Sequence, residues 1–133
     1  MADSSTSSPK GRILVADDEL SARVLLTTVL SRAGYDVLAF EDGEKCLQEL
    51  GRAPAQLVIL DRHLPGMDGI DVFRKARELC PGVQGILITA FPSESTRSAA
   101  GEAGLRDYVV KPFQVSDLLA VCQAAIKLGE REA

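Results

Sequence analysis

Four short apolar runs, each followed by a polar side chain, constrain the fold of this 133-residue chain more than any other feature. Runs of this length that are rich in Val and Ile are typical of strands buried on both faces of a parallel sheet. Because parallel strands end at the same edge, the polar groups that follow them would meet in the crevice where open α/β sheets bind ligands. The runs lie at 13–16, 57–60, 86–88 and 108–110, and the groups that follow them are Asp17, Asp18, Asp61, Thr89 and Lys111.

Strand and helix signals alternate along the whole sequence after its first residues. This alternation predicts an α/β fold with a mainly parallel sheet, right-handed crossovers and helices on both faces, which is a doubly wound (βα)5 arrangement. The helix predicted at 93–103 is the weakest, since it contains no large apolar residue. Strands are predicted at about 12–17, 36–40, 56–61, 84–89 and 106–110, and helices at about 19–33, 43–51, 69–79, 93–103 and 115–128.

The composition indicates one soluble domain and argues against two classes of partner. Residues 1–11 are polar and without periodicity, so we expect a disordered leader before a domain at 12–130. The formal net charge of −4 argues against direct nucleic-acid binding, which depends largely on Lys and Arg contacts to phosphate. No apolar stretch approaches the roughly 20 residues that span a bilayer, and no signal peptide is visible. The three cysteines lack the paired spacing of disulfides or zinc sites, which favours a reducing cytoplasm.

The carboxylates at the strand ends suit metal binding and phosphoryl transfer. Asp17 and Asp18 are adjacent, and they would repel each other unless a cation lay between them. Mg²⁺ is typically held by one or two carboxylates together with waters and phosphate oxygens. Asp61 in the same crevice could act as a nucleophile that forms an acyl phosphate. From the residues alone, the alternatives are a helix cap for the adjacent pair and a turn former for Asp61.

Thr89 and Lys111 would add a hydroxyl and an ammonium to this crevice. Thr89 alone says little, because Thr is common in strands. Lys111 is more informative, since a Lys at the end of a buried strand is costly unless it is paired with an opposite charge. The bond between Lys111 and Pro112 can be cis in a tight turn, which would direct the ammonium over the strand ends.

Taken together, these residues resemble the receiver domain of two-component response regulators of the chemotaxis-regulator kind, over residues 12–128. The resemblance implies a flavodoxin-like three-layer sandwich whose five-stranded parallel sheet has the order 2-1-3-4-5. The matching strings are Ile-Leu-Val-Ala-Asp-Asp-Glu at 13–19, Asp-Arg-His-Leu-Pro-Gly-Met-Asp-Gly at 61–69, Ile-Thr-Ala at 88–90 and Lys-Pro-Phe at 111–113.

The resemblance also implies a phosphorylation site and a metal site. Asp61 would be phosphorylated by a sensor histidine kinase or a phosphotransfer protein. The reaction would need Mg²⁺, or Mn²⁺ in its place. Asp61 and Asp18 would hold the ion directly, Asp17 directly or through a water, and His63 through its backbone carbonyl.

Three further residues would turn phosphorylation into a change of surface, as the resemblance implies. Lys111 would neutralise phosphate charge, the Thr89 hydroxyl would bond a phosphoryl oxygen, and Tyr108 would swing between outward and inward rotamers. The face formed by the fourth helix, the fifth strand and the fifth helix would then change its affinity for a downstream protein. Homodimers through the same face are an open alternative.

His63 and Phe91 depart from the commonest pattern of the family. They follow Asp61 and Thr89 by two residues, and both would flank the mouth where water attacks the acyl phosphate. We expect them to tune the lifetime of the phosphorylated form, in either direction. The alternative is that His63 is a solvent-facing imidazole that only shapes access.

The sequence therefore predicts a phosphoacceptor switch rather than an enzyme with an external substrate, although its phosphorylation and dephosphorylation would be self-catalysed. Met1 favours a stand-alone receiver over one cut from a transcription factor or a hybrid histidine kinase. A phosphatase of the haloacid-dehalogenase type is the alternative from another class, but that class has a second Asp two residues after the nucleophile, where this chain has His63. A P-loop nucleotide-binding protein is excluded, because the sequence has no Gly-x-x-x-x-Gly-Lys-Ser/Thr run.

Overall fold

Five long strands alternate with five helices in the computed structural model, which describes residues 10–132. A two-stranded antiparallel hairpin, formed by His63–Leu64 and Met67–Asp68, lies between the third strand and the third helix. The strands of the main sheet, β1 to β5, are Arg12–Ala16, Asp36–Phe40, Leu57–Asp61, Gln84–Thr89 and Asp107–Val110. The helices, α1 to α5, are Leu20–Arg32, Gly43–Arg52, Gly69–Leu79, Glu94–Ala103 and Val115–Glu132.

The main sheet is parallel throughout and has the strand order β2-β1-β3-β4-β5. This confirms the predicted doubly wound fold and its order 2-1-3-4-5. The register aligns the carboxyl ends of the central strands, because Asp61 pairs with Ile88 and Thr89 pairs with Val110. The polar residues that end β3 and β4, and those that follow β1 and β5, therefore lie at one edge of the sheet.

The two faces of the sheet carry separate apolar clusters. Leu14 and Ala16 of β1 belong to the cluster that packs against α2, α3 and α4. Ile13 and Val15 belong to the cluster that packs against α1 and α5. This division follows from the alternation of side chains along a strand, and it produces the three-layer sandwich that was predicted.

Side-chain caps begin three of the helices. Asp42, Asp68 and Ser93 accept hydrogen bonds from backbone N–H groups in the first turns of α2, α3 and α4. Helix α1 begins differently, since Glu19 stands at its N-cap and makes no side-chain capping bond. Asp17 instead accepts a hydrogen bond from the Glu19 backbone N–H through Oδ1, at 3.0 Å. The other oxygen of Asp17 is thus left for contacts at the sheet edge.

The structure differs from the sequence prediction in two local features. The hairpin after β3 is not among the predicted strands, and Gly66 in its turn has a φ of 73°. Helix α5 continues to Glu132, which is beyond the predicted end at residue 128. Neither feature changes the layers of the fold.

The predicted leader falls mostly outside the described residues. Lys10 and Gly11, its last two residues, bond to the domain: Lys10 N donates to Gly34 O, and Asp36 N donates to Gly11 O, both at 2.9 Å. Residues 1–9 are not among those described. Within residues 10–132, no helix is both long enough and apolar enough to cross a bilayer.

The cysteines lie at separate places in the fold. Cys46 and Cys122 are buried in the two apolar clusters, and burial raises the pKa of each thiol to about 12. Cys80 is half-buried at the end of α3, and its thiol lies 3.7 Å from Ala55 O. The two core thiols thus serve as small apolar packing groups.

A close approach between β4 and α3 depends on a glycine. A Cβ atom on Gly85 would lie 2.4 Å from Cε1 of Phe73 and 2.8 Å from Cδ2 of Leu105. The Phe73 side chain is fully buried, so the ring has little room to move aside. Gly85 therefore sets the distance at which α3 packs against the centre of the sheet.

We expect Gly85→Ala to lower the free energy of unfolding by about 1–3 kcal/mol, because the added methyl overpacks the core. Gly101→Ala is the matched control, since a Cβ on Gly101 in α4 meets nothing within 4 Å. That change should instead add about 0.5–1 kcal/mol by favouring the helix. Urea unfolding followed by circular dichroism measures both, and equal stabilities for the two variants would contradict the packing described here.

Candidate functional site

A single ammonium connects three carboxylates at the carboxyl edge of the sheet. Lys111 Nζ lies 2.6 Å from Asp61 Oδ2, 2.8 Å from Asp17 Oδ2 and 3.1 Å from Glu19 Oε1. Asp17 and Asp61 are buried, whereas the Glu19 carboxylate is mostly exposed. The expected meeting of Asp17, Asp61 and Lys111 at one edge is thus present in the structure.

The backbone holds each of these side chains in place. Lys111 N donates to Thr89 O at 2.8 Å, and the bond from Lys111 to Pro112 is cis. Asp17 N donates to Phe40 O at 3.0 Å, which ties the end of β1 to the end of β2. The charged groups therefore extend from strand ends that are bonded to one another.

The end of β3 is held against α3 by a second close contact. A Cβ on Gly69, the first residue of α3, would lie 2.3 Å from the backbone oxygen of Asp61. Gly69 N also donates to Arg62 O at 2.9 Å. A side chain at residue 69 would thus displace the backbone that carries the Asp61 carboxylate.

Burial and charge act in opposite directions on the groups of this cluster. Burial raises the pKa of Asp17, and the hydrogen bonds from Lys111 and from the Glu19 backbone N–H oppose that rise only in part. Burial alone would lower the pKa of Lys111, but its hydrogen bonds to Asp17, Asp61 and Glu19 outweigh this effect and raise it. Lys111 is therefore a firmly protonated cation.

The oxygen atoms of this cluster fit a divalent cation. Carboxylate oxygens of Asp17, Glu19 and Asp61 lie within 4.8 Å of one another. With Lys111 as their cation, these three groups keep an excess of two negative charges. An all-oxygen donor set of this kind suits Mg²⁺ or Mn²⁺. Asp18 is exposed and lies outside this group of three, although it lines the same pocket.

An open pocket of about 370 Å³ leads from solvent to Asp61. His63 N donates to Asp61 Oδ1 at 2.8 Å, so both oxygens of that carboxylate have a donor. The rings of His63 and Phe91 meet edge to face with their centres 5.6 Å apart. Phe91 is 72% exposed, so the two rings form one rim of the pocket. Its lining residues are Asp18, Glu19, Asp61, His63, Ala90, Phe91 and Lys111.

Thr89 and Tyr108 are held by hydrogen bonds at the β4 and β5 side of the site. The buried Thr89 hydroxyl accepts a hydrogen bond from Phe91 N at 3.0 Å. The Tyr108 hydroxyl accepts one from Ser93 N at 3.1 Å, and the Arg97 guanidinium lies 4.9 Å from the centre of the Tyr108 ring. Tyr108 is therefore attached to the start of α4.

Sequence reasoning missed two charged residues of this region. Glu19 contacts Lys111, and the signal that could have found it is its place as the third acid in the run that follows β1. Arg62, directly after Asp61, pairs with Asp68 through Nε and Oδ2 at 2.6 Å. No pattern in the sequence marks Arg62, because its partners lie in other elements.

Comparison with known proteins identifies a family. The model of the response regulator receiver domain matches residues 13–123. The chain is 40% identical over 118 residues to the probable transcriptional regulator ycf27 of Porphyridium aerugineum, covering 89% of this chain and 49% of that protein. It is 39% identical over 121 residues to the DNA-binding response regulator MtrA of Mycolicibacterium smegmatis, covering 91% and 53%. The chain thus spans about half the length of the curated relatives it matches.

Solved structures agree with the sequence comparison. A CheY-like response regulator receiver domain protein from Methanospirillum hungatei superposes with a TM-score of 0.89 at 28% identity, covering 95% of this chain and 100% of that one. The BeF3-activated DrrB receiver domain superposes with a TM-score of 0.81 at 30% identity, covering 88% and 97%.

We expect Lys111→Met to lower the free energy of unfolding by roughly 3 kcal/mol, because it leaves two buried carboxylates without their cation. Added Mg²⁺ should restore part of the loss, since it binds the folded carboxylates. Lys45→Met is the matched control, because it removes an exposed Lys from an ion pair with Glu41 and should change stability little. Equal losses for the two variants in thermal unfolding would contradict a structural role for the Lys111 contacts.

Proposed function

The chain belongs to the response regulator receiver domain family, and on that basis we propose that Asp61 accepts a phosphoryl group from a sensor histidine kinase or a phosphotransfer protein. The observation that carries the proposal is the Asp61 carboxylate, which lies at the inner end of an open pocket with Lys111 on one oxygen and the His63 N–H on the other. The protein would work as a phosphoacceptor switch rather than as an enzyme with an external substrate.

The transfer follows from the positions of these groups. An oxygen of Asp61 attacks the phosphorus of a phosphohistidine in line with the P–N bond, which breaks as the imidazole leaves with its electron pair. Lys111 and the His63 N–H stabilise the negative charge on the transferred oxygens. Positioning and charge neutralisation of this kind supply most of the catalysis in phosphoryl transfer.

A divalent cation belongs to the proposal, because the donor set fits one. Asp17, Asp18 and Asp61 would hold Mg²⁺, or Mn²⁺, with the backbone carbonyl of His63 as a further ligand. When bound, the ion would neutralise charge on the phosphoryl oxygens. The nearby Glu19 carboxylate adds to the negative potential that attracts the cation.

Phosphorylation would change the surface formed by α4, β5 and α5. The Thr89 hydroxyl would turn from Phe91 N to a phosphoryl oxygen, and Tyr108 would leave Ser93 N to fill the space that opens. Helix α4 suits this movement, since its own buried residues are only Thr96 and Ala100. Weakly anchored elements are the ones that move in switches.

The partners in this proposal are proteins. A histidine kinase or phosphotransfer protein would reach Asp61 through the open pocket, and a downstream protein, or a second copy of the chain, would bind the surface of α4, β5 and α5. Direct nucleic-acid binding is not proposed for this domain, because its net charge is −4. DNA binding is named for relatives about twice as long.

We expect Asp61→Asn to abolish phosphorylation by acetyl phosphate with Mg²⁺, because the amide oxygen is a poor nucleophile. Asp71→Asn is the matched control, since Asp71 is an exposed acid of α3 and should leave phosphorylation unchanged. Intact-protein mass spectrometry measures the added phosphoryl group. Phosphorylation of Asp61→Asn at the parental level would refute the assignment.

We expect His63→Asn and Phe91→Ala each to change the rate of dephosphorylation several-fold, because the two rings form one rim of the pocket through which water reaches Asp61. A faster rate and a slower rate of dephosphorylation would each support the prediction. The loss of the phosphoryl group is followed over time after the donor is removed. Parental rates in both variants would show that the rim has no part in the lifetime.

A further inference from the structure

Arg62 joins the phosphoacceptor strand to two helices. Its Nε donates to Asp68 Oδ2 at 2.6 Å, and its Nη1 donates to the hydroxyl of Thr96 in α4. The Arg62 and Asp68 side chains are 25% and 32% exposed, and Thr96 is buried. The guanidinium therefore bridges the cap of α3 and the first turn of α4.

The backbone of Arg62 is a rigid anchor for this bridge. Arg62 N donates to Ile88 O, and Gly69 N donates to Arg62 O, both at 2.9 Å. The residue is thus bonded on one side to β4 and on the other to the start of α3. The Arg62 side chain therefore extends from a backbone that is held on both sides.

The contact from Arg62 is one of several hydrogen bonds at the first turn of α4. Its first turn is held by the Ser93 hydroxyl, which caps Thr96 N at 3.1 Å and donates to the Thr96 hydroxyl at 2.9 Å. Ser93 N in turn donates to the Tyr108 hydroxyl. Hydrogen bonds thus run without a break from Arg62 through Thr96 and Ser93 to Tyr108.

We propose that Arg62 is a positioning residue that holds α4 and the Tyr108 hydroxyl in the arrangement they have before Asp61 is phosphorylated. It does so through the Thr96 hydroxyl, which is a route separate from Thr89. Movement of α4 requires that this bond break, so the bond opposes activation. The proposal rests on the proposed function, because it names what regulates the switch of that same site.

The first test needs no phosphorylation. Hydrogen–deuterium exchange of residues 93–104 is measured by mass spectrometry in the parent, Arg62→Met, Thr96→Val and the double variant. We expect exchange to be about tenfold faster in each single variant, since each loses a hydrogen bond to a charged group. The effect in the double variant should fall well short of the product of the two single effects, because the bond between Arg62 and Thr96 is common to both changes. Arg62→Met also removes the contact with Asp68, and Thr96→Val also removes the contact with the Ser93 hydroxyl.

Two further variants make this test specific. Arg74→Met removes an exposed Arg from its ion pair with Asp71 on α3 and should leave α4 at the parental rate. Arg62→Lys keeps the charge but loses the planar fork, and it should give an intermediate rate; it also stands in for Arg62→Met if that variant does not fold. Parental exchange in α4, or fully additive effects in the double variant, would overturn the proposal.

A second test measures the link to activation. Thr96→Val leaves the charge of Arg62 in place, so beryllofluoride affinity with Mg²⁺ can be compared without an electrostatic change. We expect Thr96→Val to bind beryllofluoride about fivefold more tightly than the parent. In the parent, a ligand that favours the moved position of α4 must break the bond between Arg62 and Thr96, whereas this bond is absent from the variant. Equal affinity would overturn the proposal. A parent that binds no beryllofluoride would instead contradict the proposed function, while the exchange experiment would still decide the role of Arg62.

Discussion

The ammonium of Lys111 is the contact on which the site depends. It lies between the carboxylates of Asp17, directly after β1, and Asp61, at the end of the neighbouring β3, and both are largely removed from water. Like charges in such a medium repel strongly unless a cation separates them. One positive charge pairs with these acids but does not balance them, since Glu19 contacts the same ammonium. The site therefore keeps a net negative charge, which favours a divalent cation.

Most of the fold could be predicted because the strands carry their own signal. The runs in β1, β3 and β4 are buried almost throughout, so apolar composition alone located them to within one residue. Parallel pairing then dictated which residues share an edge. The meeting of Asp17, Asp61 and Lys111 followed from the strand ends and needed no knowledge of loop conformations.

The parts that could not be predicted depend on where loop side chains point. Glu19 contacts Lys111, and Asp18 beside it lies outside the group of close carboxylates, although adjacent acids look equivalent in a sequence. The hairpin at 63–68 is too short for any periodic signal. Arg62 contacts Thr96, which is 34 residues away along the chain. A single Arg gives no indication of such a distant partner.

Helix α4 has few buried residues, so its exposed face can vary without disturbing the packing of the domain. Its outward positions, such as Glu94, Ser95, Ser98 and Glu102, are exposed and contribute nothing to either apolar cluster. Under the proposed function, substitution there would change the surface that a partner meets and leave the residues at the sheet edge untouched. Under the proposed function, duplicated copies of such a gene would therefore diverge in their partners through a few substitutions in α4 and keep the same residues at the sheet edge.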